Sequence, residues 1–179
     1  EASAELPAMA GNALLLEMPV AVVPAAMAET IFAVRAAGLI PILAHPERNQ
    51  GLQERPRLAH KWISDGARLQ LDGDSLLGVW GREAKNLSER LLAEGLFHAM
   101  ASDAHSIDRR PPRLAEALAR ARELIGDGAE KLVGSGPRML LAGEEPPTPL
   151  YRPTEHSGAT TKRGRRGLFR RISFRRSSG

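Results

Sequence analysis

A chain of 179 residues, 42% hydrophobic and 26% charged, can bury the core of one ordinary domain. It has no cysteine, which excludes disulfides and thiolate metal sites and fits a reducing, cytoplasmic setting, and no apolar run reaches the roughly 18 residues of a spanning helix. The net charge of +4 is unevenly spread: nine of the 25 basic residues but only one of the 21 acidic residues lie from Tyr151 onward, so an acidic body precedes a basic tail.

The body reads as alternating strands and helices. Residues 13–17 form a short apolar strand ending in Glu17. Residues 24–37, opened by Pro24 and closed by Gly38, carry Met27, Ile31 and Val34 along one side and read as a helix. A strand over 39–45 ends in His45, a helix over 56–65 stops at Gly66, and a third strand covers 67–71. Residues 74–94 are mostly helical, 96–102 form a fourth strand, and helices follow over about 112–125 and 129–141. From Glu144 the pattern stops. Glu144-Glu145-Pro146-Pro147-Thr148-Pro149 reads as a linker and the Arg-, Ser- and Gly-rich remainder as disordered, giving a domain over 1–143 and a disordered basic tail over 144–179.

The strand ends recur. Glu17, His45, Asp72 and Asp103 are separated by 28, 27 and 31 residues, the length of one βα unit. Consecutive units of this kind make an α/β fold with parallel strands, whose active site lies at the C-terminal strand ends. Four units are too few to close a barrel, so the chain reads as the latter part of one.

Those ends carry metal-type ligands. Asp103 and His105 are two residues apart where a buried strand surfaces, and residues i and i+2 of an extended chain face the same way. Without cysteine the ligands must be His, Asp and Glu, which suit manganese, iron or zinc. Each residue also has a plainer reading. His45 could bond to backbone, Asp103 could cap a turn, and Arg48 and Arg110 could be solvated surface charges, with Arg109 the rival to Arg110. Asp72, Asp74 and Ser75 read as helix caps, Glu47 as structural, and His60 and His98 as packing or surface residues.

Three blocks together carry a resemblance: Leu-Ile-Pro-Ile-Leu-Ala-His-Pro-Glu-Arg-Asn at 39–49, Asp-Ser-Leu-Leu-Gly-Val-Trp-Gly at 74–81, and Ala-Ser-Asp-Ala-His-Ser-Ile-Asp-Arg-Arg-Pro-Pro at 101–112. From about Leu14 to Gly143 the chain resembles the PHP-type, manganese-dependent protein-tyrosine phosphatases of bacterial capsule and exopolysaccharide operons. The resemblance implies a distorted (β/α)7 barrel with a cluster of three metal ions at its strand ends. It implies Glu17, His45, Asp103 and His105 as metal ligands, and Arg48 and Arg110 as the catalytic arginines that hold the substrate phosphate. It implies phosphotyrosine on proteins as substrate, a membrane-associated tyrosine kinase of polymer export among them. The chemistry is coherent. Bridging metals lower the pKa of water to supply a nucleophile, and guanidinium groups meet the charge gathering on phosphoryl oxygens.

The family opens with a His-x-His strand and a further Glu. The five histidines here, at 45, 60, 98, 105 and 156, form no such pair, so a partial domain with weak manganese binding is expected. A histidinol-phosphatase-like PHP enzyme is one alternative, and an inactive remnant that binds partners is another. The tail could touch anionic membrane weakly, and no specific nucleic acid is expected.

Overall fold

The computed structural model describes residues 11–152. Four strands, β1 (Ala13–Leu16), β2 (Ile40–Ala44), β3 (Arg68–Asp72) and β4 (Ala99–Ala101), form one parallel sheet in sequential order. The register pairs Leu16 with Leu43, Ala44 with Gln70 and Asp72 with Ala101. The chain therefore leaves every strand along the same rim, where Glu17, His45, Asp72 and Asp103 follow.

Among the described residues eight helices connect and cover the strands: α1 (Met27–Ala36), α2 (Gln50–Glu54), α3 (Arg57–Ser64), α4 (Gly73–Leu77), α5 (Arg82–Ala93), α6 (Leu114–Ile125), α7 (Ala129–Val133) and α8 (Ser135–Leu141). One sheet face meets the large core, in which Leu43, Leu69 and Leu71 pack with Ile31, Trp62, Leu91 and Phe97. The other carries Ala13, Ile40, Ile42 and Ala99 beneath Leu140 of α8. With both faces covered, β2 has no polar position, which is why it reads as a continuous apolar run.

Two expected helices are broken. The segment over 74–94 splits into α4 and α5 because Gly78 and Gly81 both adopt positive φ, 86° and 95°, and turn Trp80 toward the strand ends. The segment over 129–141 splits at Gly134 into α7 and α8. The short helix α2 was not apparent in the sequence. It starts because the Asn49 side chain accepts a hydrogen bond from Leu52 N–H at 2.8 Å.

The expected tail needs a correction at its start. Residues 144–152 are docked as a strap. Leu150 and Tyr151 are 5% and 3% exposed, and the Tyr151 hydroxyl donates to the Leu92 carbonyl at 2.7 Å. Glu145 joins Arg35 and Arg68 at 2.6 and 2.7 Å. Proline and acid content concealed the strap, because its anchors are one apolar pair and an ion pair whose partners lie far away in the chain. The tail expected from Pro153 onward lies outside the described residues.

His98, fully buried, ties the strap to the sheet. Its Nδ1 accepts from Leu69 N–H at 3.2 Å and its Nε2–H donates to Thr148 Oγ1 at 2.5 Å. Burial pushes its imidazole down to about 3. An unfolded histidine titrates near 6.5, so as pH falls below that value the unfolded chain takes up the proton first. The stability held by neutral His98 is complete above about 6.5 and is lost progressively towards pH 3. The loss should approach about 1 kcal/mol per pH unit between pH 6 and 5. His98→Asn, which retains an acceptor for Leu69, should flatten that slope in urea unfolding from pH 7 to 5. An unchanged slope would place the acid sensitivity elsewhere.

Candidate active site

The rim gathers its side chains by short local devices. β2 ends at His45 in a left-handed conformation (φ 32°), and a single 3-10 turn, Pro46–Arg48, follows. Such a turn eclipses residues i and i+3, so His45 and Arg48 reach the same place. After β4, Asp103 is also left-handed (φ 48°). These are the two non-glycine residues with positive φ among the described residues, a conformation costing on the order of 1–3 kcal/mol each that the surroundings must hold. The loop beyond is closed by Ser106, whose hydroxyl accepts from the N–H groups of Arg109 and Arg110 at 3.0 and 3.2 Å. That closure returns Arg110 to Asp103 and leaves Arg109 exposed.

Three of the four expected ligands come together. Donor atoms of Glu17, His45 and Asp103 all lie within 4.8 Å of one another. His45 Nε2 is 2.9 Å from Glu17 Oε1 and 3.8 Å from Asp103 Oδ2. Donors about 2.0–2.2 Å from a shared ion stand roughly 3–3.5 Å apart, so the trio fits a divalent cation in spacing and in its imidazole and carboxylate chemistry. The bond with His45 holds the Glu17 carboxyl below its usual range. His105 is not part of the trio. It is exposed, and its Nδ1–H donates to the Asp103 carbonyl at 2.7 Å, which leaves Nε2 as its free donor atom.

Both expected arginines meet at the same carboxylate. Arg48 Nη1 lies 3.1 Å from Asp103 Oδ2, and Arg110 Nη2 bonds the same oxygen. Behind them stands Asp72, fully buried, with Oδ2 at 3.6 Å from Arg48 and 3.7 Å from Arg110. Its Oδ1 accepts from Asp74 N–H, the expected cap, and burial holds its carboxyl above the usual range. Glu47 is buried too; its Oε1 accepts from Asp72 N–H at 3.2 Å, and desolvation pushes it up to about 8.

Trp80 was missed in the sequence. The Arg48 and Arg110 guanidinium carbons lie 4.2 and 4.9 Å from its ring centroid, within cation–π range. Its Nε1–H donates to Asp72 Oδ2 at 2.7 Å. Trp80 stands in the 74–81 block that carries the resemblance, between two glycines, but nothing in that block assigned it to the site. His60 takes no part and pairs with Glu94 at 2.8 Å on the surface.

The arrangement combines a trio whose spacing fits a divalent cation with two guanidinium groups converging on one point. It can hold a metal and an oxyanion side by side.

Comparisons with known proteins give the chain's family. Residues 2–142 match the family described as capsular polysaccharide synthesis, CpsB/CapC. The tyrosine-protein phosphatase YwqE of Bacillus subtilis is 32% identical over 143 residues, covering 78% of this chain and 56% of that protein. The tyrosine-protein phosphatase CpsB of Streptococcus agalactiae serotype V is 34% identical over 110 residues, 54% of this chain and 45% of that one. A solved structure from work on YwqE of Bacillus subtilis and CpsB of Streptococcus pneumoniae, described as unique metal-dependent tyrosine phosphatases, superposes with a TM-score of 0.72. It has 30% identity and covers 80% of this chain and 58% of the other. The chain thus spans about half the length of the curated relatives it matches.

Proposed function

The chain belongs to the CpsB/CapC family of capsular polysaccharide synthesis, and from that premise we propose that it carries the phosphate-binding part of a metal-dependent protein-tyrosine phosphatase. The observation that carries the reading is the convergence of Arg48 and Arg110 on Asp103, beside the trio of Glu17, His45 and Asp103. In this reading the sheet is part of a PHP barrel and residues 1–143 are its domain, with the strap as an addition. Glu17, His45 and Asp103 would hold a divalent metal, manganese in the family's pattern, with His105 as a further ligand from the same loop. A cation there supplies Lewis-acid polarisation and activates water.

The chain's own groups do the rest. Arg48 and Arg110 bind the phosphoryl oxygens and orient the ester, and they gain strength as charge gathers in the transition state. Asp72 and Trp80 keep both guanidinium groups in place. The substrate is phosphotyrosine on a protein, a membrane-associated tyrosine kinase of polymer synthesis fitting the family's setting. The enzyme then works in the cytoplasm. No helix among the described residues is long and apolar enough to cross a membrane. The basic residues beyond 152 add weak attraction to anionic lipid.

Manganese-dependent hydrolysis of a phosphotyrosine peptide is the test. In the complete family domain, Arg48→Ala and Arg110→Ala should each cost on the order of 2–4 kcal/mol in kcat/KM, the scale of one preorganised electrostatic contact. Arg109→Ala should be near neutral. Losses confined to Arg109, or faster turnover of histidinol phosphate than of the peptide, would overturn the assignment.

A further inference from the structure

Residues 19–22, just past Glu17 and Met18, form no regular secondary structure, and all four are exposed. With no apolar packing of their own, they are held by three hydrogen bonds from two adjacent residues. Asn49 Nδ2 donates to the Pro19 carbonyl at 2.7 Å and to the Val22 carbonyl at 2.8 Å. The Gln50 N–H donates to the Val20 carbonyl at 2.7 Å. Asn49 is 2% exposed and directly follows the 3-10 turn that presents His45 and Arg48. Its Oδ1 caps α2. Both amide hydrogens and the amide oxygen are therefore engaged, each with a different backbone group. Glu17 stands between Leu16, the last residue of β1 in register with β2, and this tethered stretch, with buried Met18 beside it.

We propose that Asn49 is a positioning residue for the metal site, its carboxamide tying the segment after Glu17 to the turn after His45 and so fixing the spacing of these two ligands. The inference rests on the reading of Glu17, His45 and Asp103 as a cation site and adds the group that keeps it assembled. A cation binds more tightly where its ligands are already in place, because no further ordering opposes binding. Glu17 needs this most: its side chain is 67% exposed, whereas that of His45 is 10% exposed and held by packing. Aspartate has the same shape and caps a helix as well as asparagine does, but it cannot donate. At this place it would set a carboxylate against two carbonyl oxygens. Serine keeps a capping oxygen and supplies at most one of the two donors. The helix cap alone does not require asparagine here. The pair of carbonyls does.

The test compares the full 179-residue chain with Asn49→Asp and Asn49→Ser by two readouts. Hydrogen exchange at the Gln50 N–H reports the tether without any metal. It should quicken about 10-fold, the effect of one or two lost hydrogen bonds on local opening, and more than exchange at the His98 N–H, which bonds the Leu69 carbonyl at 2.9 Å. Mn2+ affinity, read from selective broadening of the His45 imidazole signals, should fall about 10-fold, the lower end of the cost of losing an outer partner of a metal site. Tyr151→Phe, which removes a bond of the strap, should leave Mn2+ affinity unchanged. If Asn49→Asp does not fold, Asn49→Ser carries the same comparison without burying a charge. Unchanged exchange at Gln50, or parental Mn2+ affinity in a folded variant, would overturn the positioning role. If the parent chain shows no selective broadening at His45, the cation reading itself fails and the role falls with it.

Discussion

Ending the chain at Gly143 instead of Arg152 should cost on the order of 1–4 kcal/mol, the strap's burial and bonds less the conformational entropy of ordering it, a sizeable part of the 5–15 kcal/mol that ordinarily separates folded from unfolded domains. Burying Leu150 and Tyr151 contributes about 1.5–3 kcal/mol each, and the hydroxyl bond from Tyr151 to Leu92 about 1 kcal/mol more. Losing Glu145 also leaves the guanidinium of buried Arg68 without its carboxylate. The strap has room only because glycines lie beneath it. A Cβ on Gly128 would come within 2.9 Å of the Tyr151 Cβ, and one on Gly136 would run first into the His98 carbonyl and then, at 2.8 Å, into a Leu150 methyl. Urea unfolding of chains ending at 143 and at 152 gives the comparison directly. A difference below about 1 kcal/mol would mean that the strap rests on the body without supporting it. Tyr151→Phe, which removes the hydroxyl alone, should show about 1 kcal/mol of the total.

The strap lies beyond residue 142, where the family match ends, and it illustrates what the sequence could not convey. Strands β1, β2 and β4 were legible because each is an apolar run stopped by a polar group, at Glu17, His45 and Ser102, whereas β3 alternates Leu69 and Leu71 with Arg68 and Gln70 before Asp72. The parallel arrangement followed from their even spacing. Residues whose role depends on distant partners were not legible. Glu145 acquires meaning from Arg68, 77 positions earlier, and Thr148 from His98, 50 positions earlier. Trp80 likewise gains its place from Asp72, Arg48 and Arg110, which only the folded rim assembles. Arg109 and Arg110 were adjacent rivals in sequence. The Ser106 turn separates them, with one outside and the other on Asp103. His105 shows the converse. The Asp-x-His spacing suggested a shared cavity on the geometry of an extended strand, but the left-handed turn at Asp103 breaks that geometry, and His105 lies outside the trio.

Asp103 is the residue on which the account depends, since one of its oxygens faces His45, Arg48 and Arg110. Replacing it by Asn keeps the shape and removes the charge. The loss in metal affinity should exceed the roughly 10- to 100-fold that removal of an outer-shell partner costs, because a direct ligand is lost. The measurement is paramagnetic broadening of the imidazole signals by substoichiometric Mn2+. His60, beside Glu94 on the surface, is a built-in control of the same chemistry. The account predicts that His45 broadens first, that His60 stays sharp, and that Asp103→Asn abolishes the selectivity. Broadening of His60 ahead of His45, or selective broadening of His45 that persists in Asp103→Asn, would contradict it.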